Sequence, residues 1–339
     1  MHDYRVDISE FLNRSHTVPV IDVRSPAEYE HGHIPGALNM PLFSNEERSV
    51  VGTLYLQKGS SEAMIKGLEL IGPKLKEFSA RALDIARDRE LLLHCWRGGL
   101  RSNSMAWLLN TIGISSLTLE GGYKNYRRYV HDFFTKPFNL MLIGGMTGSG
   151  KTEVLEILES LGKQVIHLER LANHRGSVFG DLGQSWQPST EQFENDLFSQ
   201  LTQMNTSEPI FIEDESLAIG RVFIPKSFHE QMAVAPAVNL IVSRQRRIQH
   251  LVSAYAGGDK EMLVTCVKRL DKRLGSENAT LAIKLIREGK LTDAVDLLLR
   301  YYDKVYTRSM GLRDRVNKPE ILITEETPAE IAAKIINIM

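Results

Sequence analysis

Short apolar runs alternate with longer segments of helical periodicity along most of the chain. That pattern predicts parallel strands, buried on both faces, joined by covering helices. Leu91-Leu92-Leu93 ends in the polar His94, and Phe138 to Ile143 runs straight into a glycine-rich turn. Pro209 to Ile212 ends in Glu213-Asp214-Glu215, and Val238 to Val242 ends in Ser243-Arg244. Further strands are expected near Val20, Ala37 and Leu117, over Gln164 to Leu168, and over Glu320 to Thr324. Helices are expected over Ser102 to Leu109, Tyr123 to Phe134 and Glu153 to Leu161, the last with Val154, Leu155, Leu158 and Leu161 on one face. Glu62 to Arg87 reads as a long helical stretch interrupted at Gly72-Pro73. Residues 259 to 308 read as helical throughout, with Gly258, Gly275 and Gly289 as breaks. Thr327-Pro328-Ala329-Glu330 has the form of a capping box with proline at the first helical position, so a last helix should begin there.

Lys136-Pro137 is the expected domain boundary, because proline resists helix continuation. The expected fold is α/β: a first domain over 1–135, and a second parallel-sheet domain over 136–339 with a helical insertion at about 256–310. A length of 339 residues suits two domains with ample core. With 42% hydrophobic and 24% charged residues the composition is that of an ordinary globular protein. Its net charge of −1 exerts no global pull on nucleic acid. Any RNA contact must come from local basic clusters: Lys124 to Arg128, Arg244 to Arg247, and Lys268 to Arg273. Tyr123, Tyr126 and Tyr129 interleave with the first cluster, to stack on bases or, by default, to pack that helix on the core. Only Cys95 and Cys266 are present, without metal-ligand spacing, which argues for a reducing compartment and against structural zinc. The N-terminus lacks a signal-peptide pattern and no apolar stretch is long enough to span a bilayer, so a cytoplasmic protein without membrane contact is expected.

Two loops carry the candidate chemistry. The first is His94-Cys95-Trp96-Arg97-Gly98-Gly99-Leu100-Arg101-Ser102. A cysteine between a strand end and a helix N-terminus faces unpaired N–H groups and the positive end of the helix dipole. Both lower a thiol pKa, and the thiolate is the reactive form. Gly98 and Gly99 let the backbone curl into an anion nest, with Arg97 or Arg101 adding a guanidinium. The plainer reading is a buried structural cysteine, which the two glycines and two arginines count against.

The second loop is Gly145-Met146-Thr147-Gly148-Ser149-Gly150-Lys151-Thr152, placed between a strand and a helix. This is the context in which a phosphate-binding loop is credible. Gly145, Thr147, Gly148, Ser149 and Gly150 offer backbone N–H groups to a phosphate, Lys151 a point charge, and Thr152 a ligand for magnesium if one is used. Glu213 and Asp214 end the acidic strand, where a carboxylate holds a metal-bound water or acts as a base. Asn173-His174-Arg175-Gly176-Ser177 forms a further loop in which His174, Arg175 and Ser177 are substrate-binding candidates. Arg244, Arg246 and Arg247 lie where a ligand-side lid is expected and are candidates for the RNA backbone, as are Arg127 and Arg128.

Asp22-x-Arg24 and Glu28-x3-Gly32-His33-Ile34-Pro35-Gly36-Ala37, followed by Cys95, resemble the rhodanese family over roughly the first 135 residues. The resemblance implies a small α/β domain whose Cys95 carries a persulfide or its selenium counterpart. One departure is the spacing from Cys95 to Arg101, longer by one residue than the usual sulfurtransferase loop. That length is similar to rhodanese-fold phosphatases and arsenate reductases, and leaves room for a tetrahedral oxyanion. Phosphatase chemistry is thus a competitor, although no leaving-group acid is identifiable.

The order of both loops, with Asn173 to Gly180, resembles the bacterial tRNA 2-selenouridine synthases over the whole chain. That resemblance implies alkylation of the sulfur of wobble 2-thiouridine in tRNA by geranyl diphosphate. Replacement of the geranyl-thio group by selenium from selenophosphate follows. It also implies transient contact with the selenophosphate-supplying enzyme and no resident prosthetic group. The sequence leaves open whether Cys95 carries a perselenide or only positions selenophosphate. The competing readings are an ATP-dependent kinase or NTPase with an accessory domain, and a non-catalytic RNA- or phosphate-sensing module.

Overall fold

The structure, a computed structural model, describes residues 4–86, 88–174, 186–255, 259–310 and 319–338. Arg175 and Ser177 lie outside the described residues. The chain divides into two compact units, Met1–Phe133 and Phe134–Met339.

The first unit is built on a parallel sheet of five strands: β1 (Arg5–Val6), β2 (Val20–Asp22), β3 (Leu38–Asn39), β4 (Glu90–His94) and β5 (Ser115–Leu119), in the order β1-β5-β4-β2-β3. The apolar run Leu91 to Leu93 thus lies centrally, flanked by β5 and β2, and is fully buried. The short edge strand β1 has no apolar run to announce it. The helix Asn45–Lys58 was also not expected, because it buries no residue and carries no apolar stripe for periodicity to reveal. The 60–85 stretch is two helices, Ser60–Ile71 and Leu75–Ile85, joined by a 3-10 turn at Gly72–Lys74.

A buried ion pair ties this unit together. Arg24 is 1% exposed and holds Asp22 with its Nε and Nη2 at 2.9 and 2.5 Å. The same guanidinium donates to the Gly32 carbonyl and lies 3.8 Å over the Tyr123 ring. One side chain therefore joins β2, the turn before β3 and the last helix, Gly122–Phe133. Tyr123 and Tyr126 are buried and stack on each other, so they pack the core and do not face a base. Breaking such a buried pair by removing one partner costs on the order of 3–5 kcal/mol.

The second unit has a parallel sheet of β6 (Leu140–Gly145), β7 (Gln164–Ile166), β8 (Ile210–Glu213), β11 (Ala237–Val242) and β12 (Glu320–Ile323), in the order β12-β11-β6-β8-β7. β9 (Ala218–Ile219) and β10 (Val222–Phe223) form a separate hairpin. The chain fills one side of β6 first and then crosses to the other, so the crevice at the C-terminal end of β6 is a topological switch point, where ligands bind. Leu168 begins the short helix Leu168–Leu171 and does not extend β7. The helical segment comprises Lys260–Arg269, Asp271–Leu274, Ser276–Arg287 and Leu291–Met310, with Gly275 and Gly289 at positive φ between helices. The final helix, Pro328–Ile338, starts with the expected box: Thr327 N–H donates to Glu330 Oε2, and Glu330 N–H donates to Thr327 Oγ1.

His94, at the end of β4, is fully buried, 3.7 Å from Asp22 and with neither ring nitrogen hydrogen-bonded. Burial, opposed by Asp22 but reinforced by Arg24, pushes its pKa down to about 4 from 6.5. The native state thus refuses a proton that the unfolded chain accepts. Its stability contribution is complete above about pH 6.5 and is lost as the pH falls toward 4, by roughly 3 kcal/mol at most. The difference in urea midpoint between the native protein and His94→Phe, measured from pH 7.5 to 4, should change across that window; subtraction cancels all other titrating groups. A constant difference would show that His94 is not buried neutral.

Candidate functional site

The first site is set by the way β4 hands over to the helix Leu100–Thr111. Gly98 has φ +62°, and a Cβ there would sit 2.5 Å from the Leu119 carbonyl; one on Gly122 would sit 2.3 Å from the Gly98 nitrogen. Backbone thus packs on backbone, and only glycine permits it. The N–H groups of Tyr123 and Lys124 donate to the carbonyls of Cys95 and Trp96, so the start of one helix clamps the loop at the start of another.

Inside this loop Cys95 is 3% exposed. Its Sγ accepts from Gly99 N–H at 3.4 Å and lies 3.3 Å from Ser102 Oγ. Burial alone would push the thiol up. The Ser102 hydroxyl, the Gly99 and Ser102 N–H groups and the Arg101 charge outweigh it and hold the thiol below its ordinary value. The result is a thiol at a helix N-terminus whose surroundings favour its ionisation. Arg101 lends its charge to the thiol while its Nη1 and Nη2 each donate to Glu28, at 2.7 and 3.2 Å. Glu28 in turn closes a capping box with Ser25 and faces Arg48 at 3.6 Å. Arg97 is exposed and makes no ion pair among the described residues. Glu28 belongs to the motif read from sequence, but its partner 73 residues away was not visible there.

The second site is the turn between β6 and the helix Lys151–Ser160. Gly148 and Gly150 have φ +81° and +82°, and a Cβ on Gly148 would meet the Arg247 carbonyl and Leu251 at 3.0 Å. Lys151 Nζ donates to the Gly145 carbonyl at 3.1 Å, across the mouth of the loop. Burial would lower its pKa, but Glu215, Glu169, Tyr306 and Glu213 raise it, so the ammonium stays charged. Ser149 Oγ and Glu213 Oε1 are buried without hydrogen bonds. Thr152 follows Lys151 in the first helical turn.

The acids around Lys151 crowd one another. Burial and the neighbouring Glu169 push Glu213 up to about 8, against the Leu168 N–H bond and Lys151. Glu215 is raised as well, by burial and then by Glu169. Glu213 therefore faces the loop together with Glu215, the third of the acids that end the strand, and Glu169, which was not singled out from sequence. Asp214 is directed to the other side of the strand end, where a Cβ on Gly144 would meet its Oδ2 at 3.3 Å. Among the described residues, no group of three or more His, Cys, Asp or Glu is arranged to hold a metal.

The arginines of the expected lid are committed within the fold. Arg247 is 3% exposed, bonds both carboxylate oxygens of Asp303 at 2.8 and 2.9 Å, and donates to the Thr147 carbonyl. Arg244 bonds Asp296, and Arg246 donates to the Thr324 and Glu326 carbonyls. Arg127 is buried beside His131, whereas Arg128 is exposed and bonds Asn125. His174 lies against the β9–β10 turn, 2.7 Å from where a Gly220 Cβ would be. Tyr306, not foreseen, accepts from Gly145 N–H at 3.0 Å and so braces the loop from the helix Leu291–Met310.

Comparison with known proteins agrees with both halves. Residues 7–129 match the model of the rhodanese-like domain, and residues 138–332 that of the tRNA 2-selenouridine synthase AAA domain. A tRNA 2-selenouridine synthase of Sulfurovum is 34% identical over 325 residues, covering 85% of this chain and 87% of that protein. The one of Pseudomonas syringae pv. syringae is 33% identical over 340 residues, covering 90% of each. The one of Nitrosomonas europaea is 41% identical over 223 residues, covering 63% of this chain and 57% of that protein. With both domains present in this order, the chain belongs to the tRNA 2-selenouridine synthase family, enzymes that modify tRNA.

Proposed function

We propose that the chain converts wobble 2-thiouridine of tRNA to 2-selenouridine in two steps, alkylation at the Lys151 loop and selenium exchange at Cys95. The observation that carries this reading is the coexistence of two anion loops of different chemistry. One holds a buried thiol with lowered pKa, the other a charged lysine among poorly ionised acids.

In the first step the thiocarbonyl sulfur attacks C1 of geranyl diphosphate. The C–O bond breaks, diphosphate departs, and the N3 proton is released. Lys151 and the N–H groups of Gly148 and Gly150 stabilise the charge developing on the diphosphate, whereas the Ser149 N–H is engaged by the Met146 carbonyl. If magnesium accompanies the diphosphate, the Thr152 hydroxyl would hold it and the ion would offset charge on the leaving group, while Glu213 Oε1, buried without a hydrogen bond, would accept one from water beside it. In the second step selenium from selenophosphate bonds to C2, the C2–S bond breaks, and geranylthiol leaves with a proton. Water attacks phosphorus, the Se–P bond breaks and phosphate departs, the protons of that water passing to the departing thiolate and to N3. A thioether at C2 departs more readily than a thiocarbonyl, so alkylation precedes exchange. The Cys95 loop supplies the oxyanion cradle and the thiolate. Selenophosphate reaches it from the enzyme that makes it, through transient contact.

Nucleoside mass spectrometry of tRNA from cells carrying each variant tests the division of labour. Cys95→Ser should remove selenouridine and leave S-geranyl-2-thiouridine accumulating. Lys151→Ala should lower alkylation by about 100-fold, the scale of losing one donor to developing charge. Selenouridine at normal levels in Cys95→Ser overturns the assignment of Cys95. Nucleotide hydrolysis coupled to turnover, with ATP displacing geranyl diphosphate, would favour the kinase-like reading.

The Ser102 hydroxyl is the first contributor that lowers the Cys95 thiol. Ser102→Ala should therefore raise the pH at which Cys95 becomes reactive to iodoacetamide. An unmoved inflection would assign the lowering to the backbone N–H groups and the Arg101 charge.

For the tRNA itself, the exposed Lys124 and Arg128 are better placed than Arg244, Arg246 and Arg247, whose guanidinium groups are engaged. Replacing Lys124 and Arg128 together with Ala should lower the salt slope of tRNA binding by about two units. A salt series on the double variant checks this, and an unchanged slope removes both from the RNA site.

A further inference from the structure

The first unit carries an apolar groove of about 1400 Å³ that neither loop accounts for. It runs over the helices Asn45–Lys58, Ser60–Ile71 and Leu75–Ile85 to the helix Leu100–Thr111 that begins beside Cys95. Large apolar side chains stand open along it: Leu68 is 64% exposed, Leu100 65% and Trp107 61%. Single exposed apolar residues need no explanation, but a contiguous set of this size marks a binding surface. The groove exceeds the 300–1,000 Å³ or so of ordinary small-ligand pockets.

Two features select its occupant. The groove starts on the thiol loop: Leu100 and Arg101 line it, and they directly follow Gly99, whose N–H touches Cys95 Sγ. Its charged lining is one-signed, with Arg5, Arg48 and Arg101 and, among the described residues, no aspartate or glutamate. Glu28, which is not part of the lining, pairs with Arg101 and lies 3.6 Å from Arg48, and so offsets part of that charge. A ligand that fits has an apolar tail, anionic flanks and a reacting atom brought to Cys95.

We propose that this groove binds the isoprenoid chain of S-geranylated wobble nucleotide, with the arginines facing the flanking phosphates, while C2 is presented to the Cys95 loop. The proposal rests on the reading that alkylation precedes selenium exchange, and it adds a second recognition site for the alkylated intermediate, separate from the Lys151 loop. Such a site retains the greasy intermediate where its thioether is to be displaced and discriminates against unalkylated tRNA.

The test uses the full chain without selenophosphate and two anticodon stem-loops, one bearing S-geranyl-2-thiouridine and one 2-thiouridine, with affinity read by fluorescence anisotropy. The geranylated loop should bind at least 10-fold more tightly, roughly the effect of burying a few methylene groups. Leu68→Glu should erase most of that preference and Leu68→Met should keep it; Leu68 is exposed on a helix, and circular dichroism verifies the fold. Trp107→Ala gives an independent check from the other wall. The groove proposal is overturned if the native protein shows no preference, or if the preference survives both Leu68→Glu and Trp107→Ala. It is also overturned if sedimentation shows that the native chain self-associates through this face and Leu68→Glu does not. If cellular tRNA never contains the S-geranyl nucleoside, it is the two-step reading that fails. If that nucleoside is made and consumed while the groove variants bind normally, only the groove is wrong.

Discussion

A helix that begins directly after a parallel strand leaves its first N–H groups without carbonyl partners. Both candidate sites depend on this one constraint. At the end of β4 the orphan donors of the helix Leu100–Thr111 converge on a sulfur atom. At the end of β6 those of the helix Lys151–Ser160 open onto a lysine-capped turn. In each case glycine at positive φ brings the backbone around, and a second helix packs against the turn so closely that no Cβ fits: Gly98 against Gly122, Gly148 against Arg247 and Leu251. The donors are therefore fixed before any ligand arrives, which is what charge stabilisation in a transition state requires.

The two loops differ in the charge that surrounds them. Near Cys95 the fold accumulates groups that favour an anion and places the Glu28 carboxylate on Arg101. Near Lys151 it accumulates acids that burial and mutual repulsion make reluctant to ionise. The proposed diphosphate would add negative charge there, and acids already held toward their neutral forms leave Lys151 as the dominant charge facing it. The first loop is thus suited to a nucleophile that must be ready, the second to a leaving group whose charge must be received.

Much of this was legible in the sequence because it is local. Apolar runs placed the strands β4, β6, β8, β11 and β12, glycine spacing placed both loops, and Thr327 to Glu330 placed the last helix start. What was not legible depends on partners distant along the chain. Arg247 meets Asp303 across 56 positions and Arg244 meets Asp296 across 52, so a basic run that reads as a solvated lid is a set of internal struts. Tyr306 reaches Gly145 across 161 positions. Glu169, just after β7, joins Glu213 because β7 and β8 are neighbours in the sheet. The helix Asn45–Lys58 was missed for a different reason: it buries nothing, so hydrophobic periodicity has no face to report.

The committed arginines explain how a chain of net charge −1 can serve an RNA substrate. Arg24, Arg244 and Arg247 each meet a carboxylate inside the fold, and Arg246 spends its donors on carbonyls. Their charge is cancelled or held locally and contributes little to the far field. Other cations remain exposed, among them Lys124 and Arg128 on the helix that clamps the Cys95 loop. Long-range attraction is screened within about 8 Å at physiological salt in any case. Recognition then rests on contacts made after encounter, and a modified base with an apolar substituent offers a contact that charge alone cannot supply.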